Sequence, residues 1–294
     1  MRFRSFLSLS LIPILVSAAV TAQQPLPVAL HIEVQDRSGA RVGEPATITK
    51  SRQSTTVEFQ RIFQPGDRIL LSGPQQMALR VDPSLPECFI YAPSPTDLAY
   101  EIPIGRTEQQ TGVAYAPEAF SGDTHRITLR PLSEQERHSY RNLALNPCDQ
   151  PQANLAIYPH ATSNSVARNL FDFAARNAID GVAGNGHHGA WPNQTWGPEL
   201  QPDVWWRLDF GRPVTIDKLR LMLRADFPHD STWRFVTVEF SDGSHIAIQL
   251  AATAEFQEFP ITMRRISWLR LTNLIPADST KWCALVEFEA WGRE

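Results

Sequence analysis

The stretch from residue 224 to residue 233 concentrates side chains that can bind a polar ligand. Its ionisable residues are Arg224, Asp226, His229 and Asp230, and it ends at the indole of Trp233. Arginine and carboxylate groups hydrogen-bond neighbouring hydroxyls in pairs, and an indole covers the apolar face of a pyranose ring. The stretch therefore predicts a surface that recognises carbohydrate. The structural alternative is an ion pair between the arginine and one of the carboxylates that only holds the loop in place.

The same residues also allow a catalytic interpretation. His229 beside Asp230, with Asp226 nearby, can act as a general acid–base group, and paired carboxylates can cleave a glycosidic bond. The chain carries no nucleophile motif, no HExxH zinc motif and no glycine-rich phosphate loop. A glycan-active hydrolase or lyase is therefore the first alternative to a non-catalytic binding protein. A surface adhesion or scaffold protein that binds another protein is the second.

The elements that must position this stretch are β-strands. Apolar runs at 219–223 and 235–240 flank it, and Pro228 disfavours a helix between them. Short strands broken by proline and glycine also fill most of the remaining chain, which is typical of an all-β sandwich. A single helix or a solvated linker is expected at 133–141, where Ser133 and Glu136 match a capping box, and a short helix at 169–177.

The distribution of tryptophan divides the chain. All eight tryptophans follow residue 190, and the sequence changes in texture near residue 140. We predict an all-β protein of two β-sandwich domains: residues 23–132, of unknown role, and residues 142–294, joined by a linker at 133–141.

The first residues have the pattern of a secretory signal peptide. Arg2 and Arg4 precede an apolar stretch at 6–20, and small residues follow at 20–22. No cysteine for lipid attachment lies near the predicted cut, and no later segment is long enough to span a bilayer. Residues 1–22 are therefore predicted to be removed, which leaves a secreted or periplasmic protein with no membrane insertion.

Net charge and cysteine content restrict the possible partners and disulfides. The formal net charge is −4 and there is no basic stripe, which argues against nucleic acid as a partner. Export permits disulfides, but three cysteines leave at least one thiol over. Cys88 with Cys148 is the favoured pair, because Cys283 lies in an apolar run typical of a buried free thiol.

Five short motifs occur in order between residues 142 and 292. They are NLA at 154–156 followed by ATS at 161–163, NAIDG at 177–181 followed by Trp196, WRLDFG at 206–211, FSDGS at 240–244, and EFEAWG at 287–292. Together they resemble the discoidin, or coagulation factor 5/8 type C, family, which includes the family 32 carbohydrate-binding modules. The resemblance implies an eight-stranded jelly roll of the galactose-binding-domain-like fold, with ligand-binding loops at one end.

The resemblance also implies a metal site. Sugar-binding members of the family hold a structural calcium ion beside the AxDG turn. Carried over residue by residue, its ligands are the Ala178 carbonyl and the carboxylates of Asp180 and Glu287. Oxygen donors on turns suit Ca²⁺. The alternative is that Asp180 caps its own turn through backbone N–H groups.

The predicted ligand-binding set extends beyond the 224–233 stretch. His160 and Asn164 are expected at the same end of the fold, together with His188 and Trp191 of the long loop at 182–195. Trp191, Trp196 and Trp233 are the candidate stacking platforms. The remaining tryptophans sit in strand patterns and are predicted to be core residues: Trp205, Trp206, Trp268, Trp282 and Trp291. A transition-metal site at His187, His188 and His229 is permitted, but their spacing does not require it.

Overall fold

A computed structural model of the chain describes residues 29–48, 54–96, 98–104, 114–151, 157–184 and 191–294, without the side chains of 44–48. The signal peptide at 1–22, the motif at 154–156, and His187 and His188 lie outside the described residues. The structure is nearly all β, as predicted. No helix in the described part of the chain is long and apolar enough to cross a bilayer.

The N-terminal half, residues 29–131, contains two four-stranded antiparallel sheets. The first has the order β2-β1-β4-β7 and the second the order β3-β8-β5-β6. The strands are β1 (Leu30–Gln35), β2 (Arg41–Ile48), β3 (Thr55–Gln60), β4 (Arg68–Ser72), β5 (Gln76–Arg80), β6 (Cys88–Tyr91), β7 (Leu98–Glu101) and β8 (Thr124–Pro131). Alternate residues of β1, β3 and β8 are buried. This alternation is what the sandwich prediction required, since it lines one core with apolar side chains.

The C-terminal half, residues 141–294, is built around two long strands. Its strands are β9 (Arg141–Asn142), β10 (His160–Ser163), β11 (Trp206–Leu223), β12 (Trp233–Phe240), β13 (His245–Gln249), β14 (Gln257–Pro276) and β15 (Leu285–Arg293). The first part of β11 pairs with β10 and with the end of β14, whereas its second part pairs with β15 and with the start of β14. The register with β14 shifts between Asp209 and Val214, where β11 exchanges its partner β10 for β15. The sheet encloses one core around Trp196, Trp206 and Phe288.

The helical predictions had two outcomes. The short helix α1 (Glu134–His138) begins at Ser133 with both hydrogen bonds of the predicted capping box. The stretch at 169–177 is not one helix but three short 3-10 helices, Ala167–Asn169, Phe171–Phe173 and Ala175–Ile179. Arg168 and Asn169 have φ values of 53° and 51°, so the backbone cannot continue as an α-helix there.

The two halves are in contact. The Tyr91 and Tyr158 backbones exchange two N–H···O bonds of 2.8 Å each. Cys148, Ile157 and Phe171 also belong to the buried apolar cluster of the N-terminal half. The residues that the C-terminal half contributes to these contacts all follow the predicted 133–141 linker. That the two domains fold independently stays a prediction.

Candidate functional site

The loop at 224–230 connects β11 to β12, as predicted, but its arginine faces inward. The side chains of Arg224 and Asp230 are 4% and 5% exposed, and Arg224 Nε lies 3.0 Å from Asp230 Oδ2. Arg224 Nη2 also donates to Asn193 Oδ1 at 2.8 Å. The structural alternative therefore holds for this pair: both groups are committed to the protein interior, and neither presents its polar atoms to a ligand.

The exposed part of this loop is its tip. His229 Nδ1 lies 2.8 Å from Asp230 Oδ1, and its side chain is 59% exposed. Asp226 is half-buried, and its carbonyl accepts the Asp230 N–H at 2.9 Å. Phe227 is 54% exposed. A buried carboxylate thus orients a surface histidine beside an exposed aromatic ring.

Two of the three predicted stacking platforms are core residues. Trp233 is 3% exposed and stacks on the fully buried Trp196, with ring centroids 5.6 Å apart. Almost no indole surface of either ring is open to solvent, although Trp233 also lines the groove described below. Trp191 is half-buried. Among the predicted core tryptophans, Trp206 is fully buried, but Trp282 is 39% exposed; three others are half-buried, namely Trp205, Trp268 and Trp291.

His160 belongs to an internal ion pair. Its Nδ1 lies 2.6 Å from Asp149 Oδ1, and its side chain is 18% exposed. The second oxygen of Asp149 accepts the Ala161 N–H at 2.9 Å. Burial alone would lower the pKa of His160, but the Asp149 carboxylate outweighs burial and raises this pKa above its usual value. His160 therefore stabilises the start of β10.

Asn164 supports a neighbouring loop. Its Nδ2 donates to the Asp203 carbonyl at 2.9 Å, and its Oδ1 accepts the Trp205 N–H at 2.8 Å. The side chain therefore fixes the backbone that leads into β11, and with it the position of Trp205.

That loop forms one wall of a groove of about 890 Å³, which we call the Trp205 groove. The other wall is the end of β14. The polar and aromatic lining residues include Glu199, Gln201, Asp203, Trp205, Trp233, Thr237, Arg270, Thr272, Asn273 and Lys281. This volume lies within the usual range of ligand sites. Sequence analysis missed the groove, although the polar alternation along β12 and β14 was the available signal.

The polar groups of the groove are ordered by a network on the sheet surface. Arg270 Nη2 donates to Glu239 Oε2 at 2.6 Å, and Thr272 Oγ1 donates to Glu239 Oε1 at 3.1 Å. Asn273 Nδ2 donates to Thr237 Oγ1 at 3.3 Å. Because these side chains already have partners, their positions are set before any ligand arrives.

Two lining residues have an unusual backbone conformation. Asp203 has a φ of 58° and Asn273 a φ of 48°. Residues other than glycine enter this region infrequently, and such conformations gather at ligand sites. One lies on each wall of the Trp205 groove.

Two of the predicted calcium ligands, Asp180 and Glu287, form a buried carboxylate pair. Asp180 Oδ1 accepts the Val182 N–H at 2.9 Å, which is the predicted cap of its own turn. Glu287 Oε2 accepts the Gly181 N–H at 3.2 Å, whereas no hydrogen bond within the described residues reaches its buried Oε1. Burial raises the pKa of Asp180 to about 7. Burial and then the nearby Asp180 raise the pKa of Glu287 well above its usual range.

A buried, unsatisfied oxygen beside a second carboxylate fits a hard cation. Across the described ranges, however, no group of three or more His, Cys, Asp or Glu side chains is arranged to hold a metal ion. Calcium there would need the Ala178 carbonyl and further oxygen donors. The positive charge of the buried Arg176 favours the ionised form of Asp180, which partly compensates the pair without a metal.

Comparison with known proteins finds similarity to solved structures. No family model matches the chain, and no curated protein matches it. The solved structures that it resembles include carbohydrate-binding modules and lectin domains, and the similarity covers about half of the chain.

Three of these neighbours illustrate the extent of the similarity. Chitosan-binding module 1 of a chitosanase/glucanase from Paenibacillus sp. IK-5 is 20% identical, covers 52% of this chain and 99% of its own, and has a TM-score of 0.38. A fucose-binding module, SpX-3, of Streptococcus pneumoniae is 16% identical, with coverages of 52% and 99% and a TM-score of 0.37. The lectin domain of lectinolysin, complexed with Lewis B antigen, is 16% identical, with coverages of 52% and 97% and a TM-score of 0.39.

Proposed function

We propose that this chain is an exported protein that binds carbohydrate without cleaving it, and that the Trp205 groove is its binding surface. The observation that carries the proposal is the groove itself: a half-buried indole facing a row of ordered hydrogen-bonding side chains. An indole covers the apolar face of a sugar ring, while amide, hydroxyl and ammonium groups bind its hydroxyls.

The charges in the groove favour a neutral ligand. Arg270 is paired with Glu239, and Lys281 lies 4.0 Å from Asp278. The groove is lined by these two cations and by two carboxylates, Glu199 and Asp203, so its lining residues carry no net charge. A uniformly anionic or cationic chain would leave charges of one sign without compensation. We therefore expect a neutral oligosaccharide or glycoconjugate.

The sequence resemblance supports the same class of ligand. The motifs between 142 and 292 resemble a family whose members include carbohydrate-binding modules. The binding site proposed for this chain departs from the original expectation, because Arg224 and Asp230 are buried. Trp233, although also buried, lines the groove. Of the initial set, Asn164 supports the groove wall, and His229 and Trp191 stay as candidates at the adjacent loops.

A glycan-active enzyme is the second candidate, and one observation favours it. His229 is exposed and is oriented by a buried carboxylate, which is how a general base is commonly held. Asp230 also lies 3.0 Å from Arg224 Nε, which holds the carboxylate in place beside His229.

A glycan array on residues 23–294, followed by product analysis of each bound glycan, separates the two candidates. We expect binding by both wild type and His229→Ala, with the glycan recovered intact from each. Release of shortened glycan that is lost in His229→Ala would establish the enzyme. Absence of any glycan binding would contradict both candidates.

A further inference from the structure

Two cysteines from opposite halves of the chain meet in one core. Cys88 begins β6, and Cys148 lies in the turn that follows β9. Both are fully buried, and their sulfur atoms are 2.9 Å apart. They are free thiols in the structure, and a bond of about 2.05 Å between them needs only a small further approach.

We propose that Cys88 and Cys148 form a disulfide that clasps the N-terminal half to the C-terminal half. The proposal is independent of the ligand that the protein binds. Two S–H bonds break and one Sγ–Sγ bond forms. The two electrons and two protons pass to a disulfide oxidant, such as oxidised glutathione, which becomes two thiols.

The surroundings of the two sulfurs show what the bond would hold. Three residues beyond Cys88, Tyr91 pairs through its backbone with Tyr158 of the C-terminal half. A second contact joins Gln76 of β5 to the Glu294 carboxylate. The disulfide would therefore add a covalent bond to an interface that hydrogen bonds and apolar packing already form.

The clasp would also fix a turn of the C-terminal half. Asn146 Oδ1 accepts the Cys148 N–H at 3.1 Å, and Asn146 N–H donates to the Ile179 carbonyl at 2.8 Å. Asp149, next in sequence, holds His160. The disulfide would thus anchor the turn that positions both the NAIDG segment and the start of β10.

Burial determines when the bond can form. Neither sulfur is accessible in the folded chain, and burial raises the pKa of the Cys88 thiol well above its usual value. Exchange requires a thiolate that can reach its oxidant. The bond must therefore form while the chain folds, and it resists reductant afterwards.

Cys283 is the third cysteine, which stays a free thiol when Cys88 and Cys148 are paired. It lies in the apolar core of the C-terminal half, separate from the cluster that contains Cys88 and Cys148. Burial raises its pKa to about 11. Cys283 is therefore the matched control thiol.

The test is thiol counting on the full mature chain refolded with reduced and oxidised glutathione, then denatured and alkylated. We expect one alkylated cysteine, Cys283, and a peptide cross-linked through Cys88 and Cys148. Three alkylated cysteines, or a cross-link that contains Cys283, would overturn the proposal.

A second measurement does not depend on how well any variant packs. Each protein is refolded with and without oxidant, and its two melting temperatures are compared. The oxidised form of wild type and of Cys283→Ala should melt about 5–15 °C higher than the reduced form. Cys148→Ala should show no difference. An equal difference in Cys148→Ala, or none in wild type, would contradict the clasp.

Discussion

Asn164 holds Trp205 through the backbone: its Oδ1 accepts the Trp205 N–H at 2.8 Å, while its Nδ2 donates to the Asp203 carbonyl at 2.9 Å. One exposed amide thus fixes a wall of the Trp205 groove at two points. Asn164 therefore acts as a positioning residue for the proposed ligand surface.

Asn164→Ala should weaken glycan binding about three- to tenfold, because losing these hydrogen bonds costs about 1 kcal/mol and releases the loop. Asn164→Asp keeps the acceptor for Trp205 and should recover part of the affinity. Calorimetric titration with an array-selected glycan measures both. Gln249→Ala, on the exposed face of β13, is the control. Unchanged binding by Asn164→Ala would show that the wall does not need this support.

The buried pair of Arg224 and Asp230 should contribute to stability and not to binding. Arg224→Leu removes the guanidinium that pairs with the buried Asp230 carboxylate, which costs about 3–5 kcal/mol. The double variant Arg224→Leu/Asp230→Asn should recover part of that loss. Urea unfolding gives the energies, and titration of the folded protein should give wild-type affinity. If fully folded Arg224→Leu binds the glycan more weakly than wild type, Arg224 contributes to ligand binding.

The His160–Asp149 pair predicts a pH dependence of stability. The pKa of His160 is raised in the folded chain. Its contribution is therefore fully present below the unfolded pKa of about 6.5 and is lost as the pH rises through the folded value. The stability difference between wild type and His160→Gln should thus be larger at pH 5.5 than at pH 9, as measured by urea unfolding. An equal difference at the two pH values would show that the ion pair contributes nothing.

Calcium should raise the melting temperature of the chain if it occupies the Asp180–Glu287 pair, because a ligand that binds only the native state stabilises it. Chelator should lower the wild-type melting temperature, and Glu287→Gln should be insensitive to chelator. Glu289→Gln, a nearby carboxylate paired with Arg220, is the control and should respond as wild type does. Identical wild-type melting temperatures with calcium and with chelator would show that calcium does not stabilise the chain and that Asp180 only caps its turn.

Local signals predicted the strands and loops well. The capping box of the short helix depends on Ser133 and Glu136, which are only three positions apart. The loop at 224–230 followed from a proline between two apolar runs. Sequence spacing is sufficient for such features because the interacting groups are neighbours in the chain.

The site was harder to predict because burial depends on distant partners. Trp233 is buried by Trp196, and Arg224 is buried with Asn193, both more than thirty residues away. The Trp205 groove joins the loop at 198–205 to strand β14 through sheet pairing. The residue types indicated carbohydrate chemistry, but only the pairing of β11, β12 and β14 determines which side chains face solvent.

The most direct test of the account compares Trp205→Ala with Trp282→Ala in titrations against the same array-selected glycan. Trp205 lines the groove, whereas Trp282 is an exposed indole that does not line it. We predict that Trp205→Ala lowers affinity about tenfold or more, a loss of about 1.4 kcal/mol, while Trp282→Ala binds as wild type does. Wild-type affinity in a folded Trp205→Ala, with the loss appearing in Trp282→Ala, would contradict the groove and place binding at the loops beside His229.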